Sequence, residues 1–263
     1  MLGMTDYIFD TGSELGRDHM DHLAEVLDGP TTACLDRLGI QPGQRCLDVG
    51  AGGGSITRWL AERTGPTGTV VATDLDIDHL PTGPGIEARR HDINDGPPRG
   101  GPFDVIHARL VLMHLPRRRE ILASLVDALA PGGWLVLGEF TGRPLTALAA
   151  PSAVDVELWC HTQYLSHEVV GTARGISFDW AGQVDARMTA AGLEHVEALE
   201  YSTTTVGGDA GCLLHRNLNA QAEPLLLAAG ATEAQLRRYR DLMLDPRFRA
   251  WFYQFVCTWG RKP

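Results

Sequence analysis

From Arg45 to Phe140 the chain alternates apolar runs with amphipathic stretches five times over, and that rhythm leaves few folds open. "RCLDVG", "TVVATDL", "FDVIHARLVLM" and "WLVLGEF" read as strands, with a shorter one at 86–90. "SITRWLAERTG" and "PRRREILASLVDALAPGG" read as helices. In the second of these, Ile121, Leu122, Leu125, Val126 and Leu129 fall on one face. The Pro-Gly-Gly that follows ends it, because proline cannot continue a helix and glycine takes the left-handed cap. Strands joined by short connections and helices predict an α/β fold with a parallel sheet covered on both faces.

The flanks keep a different rhythm. Met20, Leu23, Ala24 and Leu27 predict a helix from Asp18, then a turn at "DGPTT" and a second short helix to Leu38. Beyond Thr141, residues 145–170, 178–191 and 209–244 read as helical, the last broken by "AAGAT". "EHVEALEYSTTTV" alternates as a strand, and the aromatic "RAWFYQFVCTWGRKP" reads as a final strand returning to the same sheet. The organisation predicted is a helical cap segment at 1–40, a core at 41–142, and a remainder at 143–263 that belongs to the same domain. Its helical insertions at 145–170 and 209–244 are placed to wall or cover a pocket.

Composition narrows the function. The 263 residues carry a net charge of −10, which disfavours nucleic acid as a partner. The runs "PRRRE" and "RRYR" read as solvated helix faces. No apolar run approaches membrane-spanning length, and "MLGMTDYIFD" has neither the basic nor the apolar part of a secretory signal. Five scattered cysteines without a C-x-x-C pair argue for reduced thiols, a cytoplasmic location and no zinc site.

The turn "DVGAGGGSI" carries the chemistry. Gly50, Gly52 and Gly54, with Ala51 among them, let backbone approach a ligand at a helix start. Ser55 stands where the dinucleotide fingerprint needs its third glycine. Asp48, two residues before the turn, repels a pyrophosphate but suits an ammonium and a sulfonium, as in S-adenosylmethionine; the other reading is a helix N-cap. Asp74 ends the second strand, where a carboxylate accepts ribose hydroxyls of either cofactor. Asp92 follows the third strand, placed for an adenine amino group with Ile93 against the ring, or else as a turn cap.

"LDVGAGGG", "VVATDLD", "RRHDI", "FDVIHARLVLMHLP" and "LAPGGWLVLGEF", in this order, resemble the motifs of class I S-adenosylmethionine-dependent methyltransferases. The likeness is to the bacterial small-molecule branch, of ubiquinone/menaquinone and natural-product type, and covers residues 40–142. It implies a Rossmann-like seven-stranded sheet whose last strand is antiparallel. It also implies that Asp48, Gly50 and Gly52 line the methionine end of the cofactor, Asp74 the ribose, and Leu75, Asp92 and Ile93 the adenine. His107, Ala108 and Arg109 would pass beside the sulfonium. Arginine at 109 departs from the small or apolar residue of many relatives; it would bind substrate, contact the cofactor carboxylate, or pair with an N-terminal acid.

Methyl transfer needs a base only when the nucleophile carries a tightly held proton. His114 after the fourth strand and Glu139 at the end of the fifth lie on neighbouring strands in this topology. The carboxylate would orient the imidazole and raise its pKa; alternatively His114 caps the following helix. His161 and His167, six apart, read as surface histidines, and no metal is expected. Tyr7, Trp159 and Tyr164 are candidate substrate-wall aromatics, with core packing as the alternative. The function expected is O-methylation of a small lipophilic or aromatic metabolite in natural-product metabolism, yielding S-adenosylhomocysteine, with nitrogen or carbon acceptors left open. A cofactor-dependent cyclisation is the alternative, with NAD-dependent oxidoreduction and simple ligand binding behind it. No membrane partner is expected, and the reading leaves room for a homodimer.

Overall fold

The structure, a computed structural model, describes residues 13–263 and divides into two compact units. The larger comprises 27–142, 178–201 and 255–263. Its elements are the second half of α1 (Glu14–Asp36), β1 (Arg45–Val49), α2 (Ser55–Thr64), β2 (Thr69–Asp74), β3 (Ile86–Arg90), β4 (Phe103–Arg109), α3 (Arg118–Asp127) and β5 (Leu129–Phe140), and later α5, β7 and β10. The expected strand at 86–90 is β3. α5 is Val184–Ala190, β7 is Glu194–Tyr201 and β10 is Phe255–Arg261.

The sheet order is β3-β2-β1-β4-β5-β10-β7. β1 to β5 pair in parallel, and β10 runs antiparallel to both β5 and β7, as the resemblance implies. Leu47, Val49, Val71, Ile106, Ala108, Leu135 and Leu137 are buried along the central strands. α2 buries Ile56 and Leu60; α3 buries Ile121, Leu122, Leu125 and Val126, but it ends at Asp127, so Leu129, expected on the same face, and the Pro-Gly-Gly expected to cap the helix lie in β5 instead. Chain order reverses between β1 and β4, so their carboxyl ends flank the crevice where such sheets hold ligands.

The smaller unit comprises the described residues up to Val26 with 143–177 and 202–254. It holds β6 (Ala147–Ala149), α4 (Ala153–Tyr164), β8 (Thr204–Val206), α6 (Ala210–Gln221), α7 (Glu223–Ala228), α8 (Glu233–Leu242) and β9 (Arg249–Trp251). Its own sheet is antiparallel, in the order β6-β9-β8. Trp159 lies in its core, stacked on Tyr239 at 5.8 Å between centroids and 8° between planes, beside Leu158, Leu242 and Phe248.

Several expectations are corrected. "EHVEALEYSTTTV", expected as one strand, is two, β7 and β8, in different sheets. "DGPTT" does not break the first helix: α1 continues through Pro30. The Thr31 hydroxyl donates to the Leu27 carbonyl at 2.6 Å and that of Thr32 to the Asp28 carbonyl at 2.8 Å, adding bonds where proline withholds its own. The segment 145–170 is not wholly helical, since β6 precedes an α4 capped by Ser152. The aromatic final stretch is two strands in two sheets, β9 and β10, rather than one.

Candidate active site

Gly50, Gly52 and Gly54 all have positive φ, at 63°, 53° and 71°. A Cβ on Gly50 would stand 2.4 Å from Val111 Cγ2, so the turn needs glycine there for both conformation and contact. The Ala51 N–H donates to the Thr73 carbonyl and the Gly54 N–H to the Ala51 carbonyl, and α2 starts at once after Gly54. The backbone therefore curls tightly at the carboxyl ends of β1 and β2.

Asp74 sits at the lip of this turn. Its Oδ2 accepts from Gly52 N at 2.8 Å and its Oδ1 from Asp76 N at 3.3 Å. Burial pushes its pKa up, outweighing the backbone N–H groups of Gly52, Asp76 and Leu75, and the charge of Asp48 adds to the rise. Leu75, next in chain, is 54% exposed, an apolar surface set beside a carboxylate. Asp92 accepts from both Asn94 N and Asn94 Nδ2 at 2.9 Å, capping the turn 93–95 with one oxygen. Ile93 is buried.

Asp48 is not at the surface of the site. It is 2% exposed, and its two oxygens meet the Thr57 hydroxyl at 2.6 Å and His107 Nδ1 at 2.8 Å. Register explains the second contact: Asp48 on β1 is the partner of His107 on β4. The carboxylate expected at a cofactor's methionine end is thus engaged beneath the turn, where its field still reaches Asp74. Sequence gave a signal for this, a histidine directly across the ladder, that only the register makes readable.

Of the three roles considered for Arg109, the structure supplies one. Its Nη1 lies 2.8 Å from Asp28 Oδ1 and 3.2 Å from the Thr31 hydroxyl. Asp28 also accepts from the Ser55 hydroxyl at 2.9 Å. One α1 carboxylate thereby ties the end of β4 to the start of α2. The next residue, Leu110, holds φ at 56°, an uncommon conformation for leucine, as the chain leaves β4.

His114 ends a 3-10 turn, Leu112–His114, and Glu139 lies near the end of β5. The expected rise in the imidazole pKa is reversed. Burial and then the positive field of Arg118 push it down to about 4. Glu139, 1% exposed, goes the other way, raised to about 8 by burial against the opposing pull of Met113 N, Leu112 N and Arg118. Its Oε1 accepts from Met113 N at 3.2 Å, on the backbone of the turn, and the Trp180 side chain also favours its charged form. Arg118 donates from Nε to the Leu112 carbonyl and from Nη2 to the Met113 carbonyl, each at 3.2 Å. The solvated reading of "PRRRE" holds for exposed Arg117 and Arg119 and misses Arg118.

The remaining candidates lie elsewhere. Tyr7 is outside the described residues. Trp159 is fully buried in the smaller unit's core, and Tyr164 is 58% exposed. His161 is exposed as expected, but His167 is not a surface histidine. It sits on a π-helical turn, Leu165–Gly171, with Nε2 2.7 Å from the Tyr253 hydroxyl, and burial lowers its pKa to about 4. Among the described residues, no group of three or more His, Cys, Asp or Glu side chains is placed to hold a metal. Among them too, no helix is long and apolar enough to cross a membrane.

A parallel sheet reversing between β1 and β4, a left-handed glycine turn and an acid closing β2 define a Rossmann-like nucleoside-binding class. Comparison gives the family: a model of the methyltransferase domain matches residues 21–198, and the chain belongs to the class I S-adenosylmethionine-dependent methyltransferases. It is 32% identical over 125 residues to the ubiquinone/menaquinone biosynthesis C-methyltransferase UbiE of Ectopseudomonas mendocina, covering 43% of this chain and 49% of that protein. It is 29% identical over 195 residues to the methyltransferase GfsG of Streptomyces halstedii, covering 71% of this chain and 66% of the relative. The chain thus spans about half to two thirds of the length of these curated relatives. Among solved structures, Haemonchus contortus phosphoethanolamine N-methyltransferase 2 superposes with a TM-score of 0.60 at 15% identity, covering 100% of this chain and 61% of that one, a likeness of fold.

Proposed function

We propose that this chain transfers the methyl group of S-adenosylmethionine to a hydroxyl of a small lipophilic or aromatic metabolite, in the cytoplasm and without a metal. The observation that carries the reading is the glycine turn closed by Asp74, with exposed Leu75 beside it. This donor set fits a phosphate-free nucleoside. Asp74 would take the ribose hydroxyls, Leu75 and Ile93 the adenine faces, and the second oxygen of Asp92 the adenine amino group. The paired fields of Asp48 and Asp74 make the turn negative, which favours a cationic ligand over a pyrophosphate. Bound S-adenosylmethionine would supply a methyl group already activated by positive sulfur, so the chain's own work is alignment and removal of one proton.

His114 is the group proposed to accept that proton. With a pKa near 4 it is unprotonated throughout the neutral range, but it holds a proton weakly. A weak base suits an acidic hydroxyl, a phenol or enol, better than an aliphatic alcohol. The rate should therefore stay level from about pH 8 down to about pH 5 and fall as the imidazole protonates below that. A bend near 6.5 would show that the proton goes to no imidazole whose pKa burial has lowered.

Titration calorimetry with S-adenosylhomocysteine tests the cofactor assignment. Asp74→Ala should weaken binding at least about tenfold, equivalent to about 1.4 kcal/mol; unchanged affinity would overturn it. Incubation of labelled cofactor with a panel of phenols and enols tests the reaction. Turnover that forms product without S-adenosylhomocysteine would replace methyl transfer by a cyclisation that uses only the cofactor's charge.

A further inference from the structure

The peptide unit between Leu112 and Met113 is gripped at both ends. Its carbonyl accepts from Arg118 Nε at 3.2 Å, and its N–H donates to Glu139 Oε1 at 3.2 Å. In a trans peptide those groups point in opposite directions, so two side chains from different elements fix the plane between them. The guanidinium also takes the next carbonyl, that of Met113, at 3.2 Å, while the His114 N–H closes on the Val111 carbonyl at 3.1 Å. Every one of these bonds is to backbone.

We propose that Arg118 and Glu139 are positioning residues, a two-sided clamp on the 112–113 peptide that fixes where the turn presents the His114 imidazole. The proposal rests on His114 as the acceptor-facing base and gives Glu139 a role unlike the one its place in sequence suggests. Glu139 acts as a hydrogen-bond acceptor for the turn, not as a charge that steers the ring. A neutral amide oxygen would serve in its place. Arg118 acts through its fork, since Nε and Nη2 reach two successive carbonyls at once; a lysine ammonium on a flexible stem cannot reproduce that grip.

The test follows the His114 ring by NMR in the full chain labelled at histidine, its signal assigned with His114→Gln. Glu139→Gln keeps the acceptor and should leave the His114 titration within about half a unit of wild type. Glu139→Leu removes the acceptor, and Arg118→Lys keeps the charge while losing the fork. Each should raise the His114 pKa toward its ordinary value by about one unit, as the freed turn admits water. Affinity for S-adenosylhomocysteine within about threefold of wild type would show that the glycine turn is intact in each variant. The clamp is overturned if Glu139→Gln moves His114 as far as Glu139→Leu does, or if Arg118→Lys leaves it in place. Should Glu139→Leu fail to fold, the glutamine and lysine variants decide the matter. If wild type itself does not bind S-adenosylhomocysteine, the cofactor reading fails while the His114 titration still reports on the clamp.

Discussion

Glu139 and three histidines pull the pH dependence of stability in opposite directions. Glu139 is raised in the folded state to about 8, from 4.5. The stability this represents is complete below the unfolded pKa and is lost as pH rises toward the folded one, because only the unfolded chain ionises in between. Glu139→Gln removes the effect. Its melting temperature relative to wild type should rise between pH 5 and pH 8 by up to about 3 °C per pH unit, on the scale of 1.36 kcal/mol per unit. A difference that stays flat with pH would show that Glu139 is ionised when buried. His114 and His167 are lowered to about 4 and His215 to about 3, burial being the first cause in each. Their contribution is present above the unfolded pKa of 6.5 and is lost as pH falls toward 4. At this scale the sequence was legible for the glycine turn and for the place of Asp74 at the end of β2, both of which follow from local spacing. It was not legible for Asp48, Arg118 or His167, because their partners lie across a ladder, behind a turn or 86 residues away.

α1 shows how one element can serve the site through a single carboxylate. Asp28 receives Arg109 from the end of β4 and Ser55, the first residue of α2, so the second half of the helix is moored to β4 and to the residue that follows the glycine turn. Hydrogen bonds to charged groups of this kind are worth about 1.5–3 kcal/mol each. Asp28→Ala should raise amide exchange over 27–36 and weaken S-adenosylhomocysteine binding several-fold by loosening the turn; Asp28→Asn, which keeps an acceptor, should fall between. Equal protection in all three proteins would show the mooring to be idle. β1, β2, β4 and the second half of β5 were readable from clustered apolar residues beside glycine or proline, and β3, only Ile-Glu-Ala-Arg-Arg, from its place after Gly85. β6 and β9 were not, being three residues each, too short to show any period. Pro30 misled for a physical reason: proline opposes a helix interior, yet two following hydroxyls and the packing of Leu27 and Leu35 hold α1 together.

For the whole molecule, the parallel sheet follows from the alternation of elements and its antiparallel last strand from the resemblance, while the second sheet follows from neither. The residues after Thr141 cross between the two units four times, and contiguous reading assigns such segments to whichever neighbour stands nearest in sequence. The expected final strand was right for β10 and wrong for β9 on that account. β7 has β10 as its ladder partner and otherwise presents an edge, with Glu194, Glu197 and Glu200 exposed along it, charges that discourage another chain from adding a strand there.

That insertion of β10 between β5 and β7 dictates an order of assembly on the ribosome. While Phe255–Arg261 is still inside the exit tunnel, the outer rim of β5 and the inner rim of β7 are both bare, though every other ladder of this sheet can already have zipped. A chain halted at Gln254 should therefore be captured by chaperones or precipitate, and synthesis continued through 255–263 should rescue it within a single folding event.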